Sequence, residues 1–457
     1  MKGDSILNNH YNDFEVFNLA DRRWYCEADE VILPEWLQGD RINEVLFCNM
    51  FIQRHPIAYV KGEYHDAERV VDEEDLKQEI YSIISPYITE NVSRNVNKLV
   101  ALLKIRALKK DLPVQEDRKH FHNGVYYLDD GQFTNERDIC LNPLPINYNP
   151  KASDPRLWFS FLHELLHEED IPALQEFMGY MLIPTTRAHK MLLIIGKGGE
   201  GKSRIGRVIK RILGSNMNTS SFHKLAGNRF SRADQVGKLL LLDDEIKTEK
   251  MPDVEMLKTI VTAEDVMDVE RKGVQSYQDR LYIRLIGFGN GRLSAIQDRS
   301  DGFYRRQLII KTIDKPADRV DDTYLGEKLI GEAEGILLWC IEGLQRLRAN
   351  DFHFTISSRM KKNLEDIREE DNNIIGFLDS KGFIEFDHLA SATTDQLYGV
   401  YEKWCLENAE APQSKISFGR YMKDVEETLG LKYSKNIDRG DGIRIRGYKG
   451  IRVTMAV

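Results

Sequence analysis

One octapeptide constrains this chain more than any other feature. Gly196-Lys197-Gly198-Gly199-Glu200-Gly201-Lys202-Ser203 fits the spacing G-x-x-x-x-G-K-[ST] at every fixed position. Its flanks fit too. Met191-Leu192-Leu193-Ile194-Ile195 reads as a buried strand just before it. After it, Ile205, Val208, Ile209 and Ile212 recur on one helical face, with a stop at Gly214. A strand, a glycine turn and a helix in that order aim backbone N–H groups and the positive end of a helix at one point. Lys202 is then placed to reach the β- and γ-phosphates of a nucleotide, and the Ser203 hydroxyl to ligate magnesium. The expected ATP-binding set is Gly196, Gly198, Gly199, Glu200, Gly201, Lys202, Ser203 and the following Arg204.

A second apolar strand, Leu239 to Leu242, runs into Asp243, Asp244 and Glu245. Acids at a strand end can flank magnesium, one holding the ion and a neighbour orienting the attacking water. Asp243 or Asp244 suits the metal and Glu245 the water. A third strand, Leu281 to Gly289, ends at Asn290, whose amide can sense the γ-phosphate. Arg305 and Arg306 precede a fourth apolar run, Gln307 to Ile310. One of that pair could act as a finger on a neighbouring subunit's ATP; a plain surface pair is an equal reading of the two residues alone. From 186 to about 312, apolar strands alternate with helical stretches, the pattern of an α/β domain, and Gly331 to Leu347 predicts a buried helix that closes it.

The chain has 457 residues, enough for about three domains, and a composition that excludes disordered, collagen-like and disulfide-dense classes. Its net charge of −9 does not argue against nucleic acid, because binding depends on local basic surface. Cys26, Cys48, Cys140, Cys340 and Cys405 are scattered and form no C-x-x-C pair, so neither a disulfide framework nor a cysteine zinc site is expected. Residues Met1 to His10 lack the apolar core of a signal peptide, and no apolar run reaches the roughly 18 residues of a membrane span. A cytoplasmic protein without membrane contact is expected.

The phosphate loop, acidic strand, strand-tip Asn290 and paired arginines lie in one compact stretch, residues 196 to 306. In that order they resemble the superfamily 3 helicases, AAA+-type hexameric motors of viruses, phages and plasmids, and most of all the phage, plasmid and poxvirus-type primase-helicases. Leu257 to Asp265 resembles a further motif of that branch, with Ala263 where the family usually has Gly. Val269-Glu270-Arg271-Lys272-Gly273 resembles its DNA-gripping hairpin: Lys272 matches the channel lysine, Arg271 stands beside it, and Gly273 replaces the His of some relatives. His122 to Leu128, Leu144 to Tyr148 and Gln175 to Tyr180 resemble the pre-helicase domain. The resemblance covers roughly residues 40 to 312. It implies a hexamer with ATP between subunits, Lys202, Ser203 and the acids from one subunit and Arg306 or Arg305 from the next. It also implies 3′-to-5′ travel on single-stranded DNA. Paired catalytic Asp residues of a primase are not seen upstream, so a separate primase or polymerase partner is expected.

Two further features remain. His163-Glu164-Leu165-Leu166-His167 fits the zinc-protease spacing H-E-x-x-H, but a half-exposed helix with Phe161, Leu165 and Leu166 buried explains it better. From Ser414 to Val457 there are ten Lys and Arg residues against five acids. Leu397, Tyr401 and Trp404 mark one helix and Phe418, Met422 and Val425 another; Gly442 to Lys449 alternates apolar and basic residues like a hairpin. Helices followed by a basic hairpin read as a winged helix, with Arg444 and Arg446 as DNA contacts. The whole reading is an α/β chain: an α+β accessory region (1–110), a pre-helicase region (111–185), an AAA+ motor (186–350) and a winged-helix domain (351–457). It acts on single-stranded and forked DNA and on origin duplex DNA. The competing reading is an ATP switch that loads or melts at an origin without processive unwinding.

Overall fold

The computed structural model describes residues 16–18, 23–25, 33–246, 254–263, 265–273, 275–290, 301–316, 318–371, 373–438 and 444–455. Met1 to His10, Cys26, Glu264, Asp298 to Ser300, Gly442 and Ile443 lie outside them. The chain divides into two compact units, residues 1–149 with 212–216 and residues 150–211 with 217–457. Residues 111–149 therefore cluster with the N-terminal unit and residues 150–185 with the second.

The first unit is built around helices Glu44–Arg54, Glu73–Ile84 and Val92–Arg106. Asn43 and Asp72 cap the first two by accepting from Leu46 and Glu74 N–H groups, which would otherwise lack partners. Phe47, Phe51, Leu76, Ile80, Leu99 and Leu103 recur at helical spacing and meet in one core. Ala58–Val60 and Glu63–His65 form a hairpin. Its two-residue turn has positive φ at both Lys61 and Gly62, as the twist of a tight hairpin demands. A second antiparallel sheet follows, from Arg118–Phe121, Gly124–Tyr127 and Phe133–Thr134.

In the second unit, helices α1 (Arg156–Leu165), α2 (Ile171–Tyr180), α3 (Lys202–Leu213), α4 (Glu255–Thr262) and α5 (Ala333–Ala349) accompany the strands. The strands are β1 (Met191–Ile195), β2 (Met217–Thr219), β3 (Leu240–Ile246), β4 (Met267–Val269), β5 (Tyr277–Asp279), β6 (Arg284–Gly289) and β7 (Gln307–Lys311). Five of them form one sheet in the order β2-β3-β6-β1-β7, every neighbouring pair parallel. Continuous apolar runs such as Met191 to Ile195 belong in such a sheet because both faces are covered. β6 starts at Arg284, three residues later than the sequence predicts. Arg284, 1% exposed, is turned inward and donates to the carbonyls of Met181 and Thr185. α2 and α5 cross at backbone contact: a Cβ on Gly343 would lie 2.5 Å from the Gln175 carbonyl.

The charged stretch Lys361 to Asn373 is largely helix α6 (Ser358–Asp371). Met360 and Ile367 are buried, Leu364 packs on the sheet core, and Asn363 donates to the Ile309 carbonyl on β7. Its charges are the solvated face of an amphipathic helix. Beyond it come α7 (Asn373–Leu378), β8 (Ile384–Thr393), α8 (Thr394–Glu407), α9 (Lys415–Asp424), β9 (Lys432–Asp438) and β10 (Arg444–Val453). The strands form an antiparallel sheet in the order β8-β10-β9, and Phe377, Leu397, Tyr401, Phe418, Met422 and Tyr448 share its core. Among the described residues no helix is long and apolar enough to cross a membrane.

Candidate functional site

The loop between β1 and α3 has the backbone that its glycines permit. Gly198, Gly199 and Gly201 stand at φ 113°, 79° and 117°, values that a side chain would strain. The loop is fixed at its start by the Gly196 N–H donating to Gly289 on β6 (3.0 Å) and the Thr312 N–H donating to Ile195 (2.8 Å). A Cβ on Gly196 would lie 2.1 Å from the Thr312 hydroxyl, so no side chain fits there. Lys202 and Ser203 open α3, with the Lys202 side chain buried and Ser203 exposed.

The anion that Lys202 meets in this loop is Glu200. Its carboxylate lies 2.8 Å from the Lys202 ammonium and, through the other oxygen, accepts the Gly198 N–H at 2.8 Å. Both side chains are inaccessible, Glu200 at 2% exposure and Lys202 at 8%. Burial works to raise the Glu200 pKa, yet the bonds from Lys202 and from the Glu200 and Gly198 N–H groups prevail and hold it below the ordinary value.

A segment after β7 clasps the loop, and the sequence reading did not identify it. Arg319 donates to the carbonyls of Gly199 (3.0 Å) and Glu200 (3.1 Å) and is oriented by Asp321 (3.2 Å). Arg204 donates to the Asp322 carbonyl at 3.0 Å, and Lys197 pairs with Asp314 at 2.6 Å. Arg204 thus acts on the loop's support. Arg319 follows no motif spacing, so only the fold reveals it.

The three acids separate by exposure. Asp243 is buried and accepts the Phe222 N–H at 2.8 Å and the Glu245 N–H at 3.3 Å. Burial raises its pKa, partly offset by those two bonds. Asp244 and Glu245 are exposed at the strand end. Asn290 is exposed at the tip of β6, next to β1; a Cβ on Gly198 would meet its amide nitrogen at 3.5 Å. The fold therefore brings the glycine loop and Asn290 together, with the acids on the strand adjoining β6. Arg305 is exposed, while Arg306 is half-buried with its guanidinium on the Gly302 carbonyl.

β4 and β5 form the expected hairpin, with Arg271 and Lys272 in its connection and Lys272 exposed. The Arg271 guanidinium stacks 5.9 Å over the Tyr277 ring, and Glu270 pairs with Arg229 at 3.1 Å. In the C-terminal sheet, Arg444 and Arg446 are exposed on β10. The H-E-x-x-H spacing does not make a two-histidine helix face. α1 ends at Leu165, Leu166 is extended, and His167 lies beyond the helix against Arg359 at 2.8 Å. Glu176 is engaged by Arg346 and Thr355. Among the described residues no group of three or more His, Cys, Asp or Glu is arranged to hold a metal ion.

Comparison with known proteins adds three findings. Residues 36–167 match a family described as "D5 N terminal like", and residues 194–306 match a family of unknown function, DUF5906. No curated protein matches the chain at the sequence level. Among solved structures, the C-terminal region of NrS-1 in its apo A form aligns over 88% of this chain and 98% of its own, at 14% identity and a TM-score of 0.51. Another apo structure of that region aligns over 91% and 100%, at 13% identity and a TM-score of 0.49. The first likeness is one of fold. The match over 36–167 spans two of the segments, His122 to Leu128 and Leu144 to Tyr148, that resemble the pre-helicase domain of phage-type primase-helicases.

Proposed function

We propose that the chain is an ATP-dependent hexameric DNA helicase of a phage, plasmid or genomic island. In this reading residues 186–350 are the AAA+ motor and residues 351–457 a winged-helix DNA-binding domain. The observation that carries it is the convergence of the glycine loop, Asn290 and the acidic end of β3 at one edge of a parallel sheet ordered β2-β3-β6-β1-β7. Ligands of open α/β sheets gather at the carboxyl ends of the strands, and these residues stand there.

The residues suit a magnesium nucleotide. Three positive-φ glycines shape a loop whose N–H groups can turn inward, as the Gly198 N–H does toward the Glu200 carboxylate, and Lys202 supplies a cation at the helix start. Ser203 and one of Asp243 or Asp244 would hold magnesium, with exposed Asp244 the better placed. Magnesium would supply charge neutralisation at the phosphates. Glu245 orients water, Asn290 senses the terminal phosphate, and exposed Arg305 reaches a neighbouring subunit's nucleotide. Arg271 and Lys272 track the phosphate backbone of single-stranded DNA, and Arg444 and Arg446 contact duplex DNA. The order helix, strand, helix, helix, strand, strand from α7 to β10 supports the winged-helix assignment. ATP-dependent displacement of a strand from forked DNA tests the proposal; hydrolysis without displacement would favour the origin switch or loader.

A further inference from the structure

The Glu200 carboxylate stands as an anion among groups that the nucleotide reading assigns to phosphate. It holds one donor of the Lys202 ammonium and the Gly198 N–H, each at 2.8 Å. The neighbouring geometry accommodates it. A Cβ on Gly196 would come within 2.9 Å of the same carboxylate oxygen, so the glycine there leaves room for Glu200 as well as for Thr312. Arg319 fixes the Glu200 backbone from outside through its carbonyl, which keeps the side chain directed inward. A buried ion pair of this kind is retained only when each partner satisfies the other, because a lone buried charge is costly.

We infer that Glu200 is a built-in competitor for the phosphate site, a positioning residue that holds Lys202 and the loop in a closed form until a nucleotide displaces it. The inference rests on the nucleotide reading above. An incoming polyphosphate offers Lys202 and the Gly198 N–H a stronger acceptor, and the carboxylate must rotate away or share the ammonium. The apparent affinity is the intrinsic affinity multiplied by the fraction of molecules in the open form. Glu200→Gln keeps the shape but removes the charge that pairs with Lys202. It should therefore destabilise the empty protein and strengthen nucleotide binding, two effects of opposite sign that a purely structural role would not produce together.

The test is calorimetric titration of the full chain with magnesium and a non-hydrolysable ATP analogue, alongside melting of the nucleotide-free protein. For Glu200→Gln the Kd should fall about three- to tenfold while the nucleotide-free Tm drops. Glu200→Asp, which keeps a carboxylate, should lie between this variant and the wild type. If Glu200→Gln does not fold, Glu200→Thr serves the same arm. An unchanged or higher Kd in a folded, uncharged variant overturns the inference and leaves the nucleotide reading standing. Failure of the wild type itself to bind the analogue overturns both.

Discussion

The Asp243 carboxylate accepts the backbone N–H of Phe222 at 2.8 Å and so anchors the start of the short helix Phe222–Gly227 against β3. Of three consecutive acids, the first is thus committed to holding the fold. Asp243→Ala should cost about 1–3 kcal/mol of stability, because it orphans a buried donor. Asp244→Ala and Glu245→Ala, at exposed positions, should change stability by less than about 0.5 kcal/mol while abolishing ATP hydrolysis. Denaturant unfolding and ATPase assays on the three variants separate these roles. Equal stability loss in all three would contradict the division.

Arg305 and Arg306 should differ in the same manner. Arg306 is tied to the Gly302 carbonyl in its own subunit, and Arg305 is exposed. Arg305→Ala should retain nucleotide binding and lose roughly 10³-fold in ATPase rate, as expected when a finger is removed across an interface. Arg306→Ala should lower the melting temperature instead. Wild-type hydrolysis by Arg305→Ala would exclude it as the finger.

Ala263 stands where the helicases that this chain resembles usually have glycine, and its backbone shows why glycine suits the position. It ends α4 at φ 34° and ψ 47°, a left-handed conformation that glycine adopts without strain. Ala263→Gly should therefore stabilise the chain by about 0.5–1 kcal/mol, read as a rise in the denaturation midpoint. A destabilised variant would show that the buried Ala263 methyl matters more than the backbone.

How much of this was legible beforehand varied with the range of the interactions. The glycine loop, its strand and its helix are local patterns, and Ile205, Val208, Ile209 and Ile212 are all buried as their spacing implies. The hairpin carrying Lys272 and the C-terminal helices at Leu397 and Phe418 are local as well. Arg319 was not legible, because its partners Gly199 and Glu200 are distant in sequence and it bonds to their backbone. The Glu200–Lys202 pair was hidden for another reason: the motif leaves that position free, and its side-chain direction depends on the fold. The helix at Ser358–Asp371 was obscured by charge, since only Met360, Leu364 and Ile367 carry its apolar face.

His120 gives a prediction on pH. It is buried on the strand Arg118–Phe121, and burial, with Lys119 beside it, lowers its pKa from 6.5 to about 4. The unfolded chain then takes up a proton that the folded chain refuses. Stability should fall as pH drops from 6.5 toward 4, by up to about 3 kcal/mol from this group. His120→Gln should flatten that part of the pH profile of unfolding. An unchanged slope would assign it to other groups.

The most direct test of the central claim is strand displacement on forked DNA with magnesium and ATP, comparing the wild type with Lys202→Ala and Lys272→Ala. The wild type should unwind the fork. Lys202→Ala should neither hydrolyse ATP nor displace a strand, and Lys272→Ala should hydrolyse ATP without DNA stimulation and without unwinding. Unwinding that persists in Lys202→Ala, or no ATP hydrolysis by the wild type, would contradict the assignment of a nucleotide-driven motor.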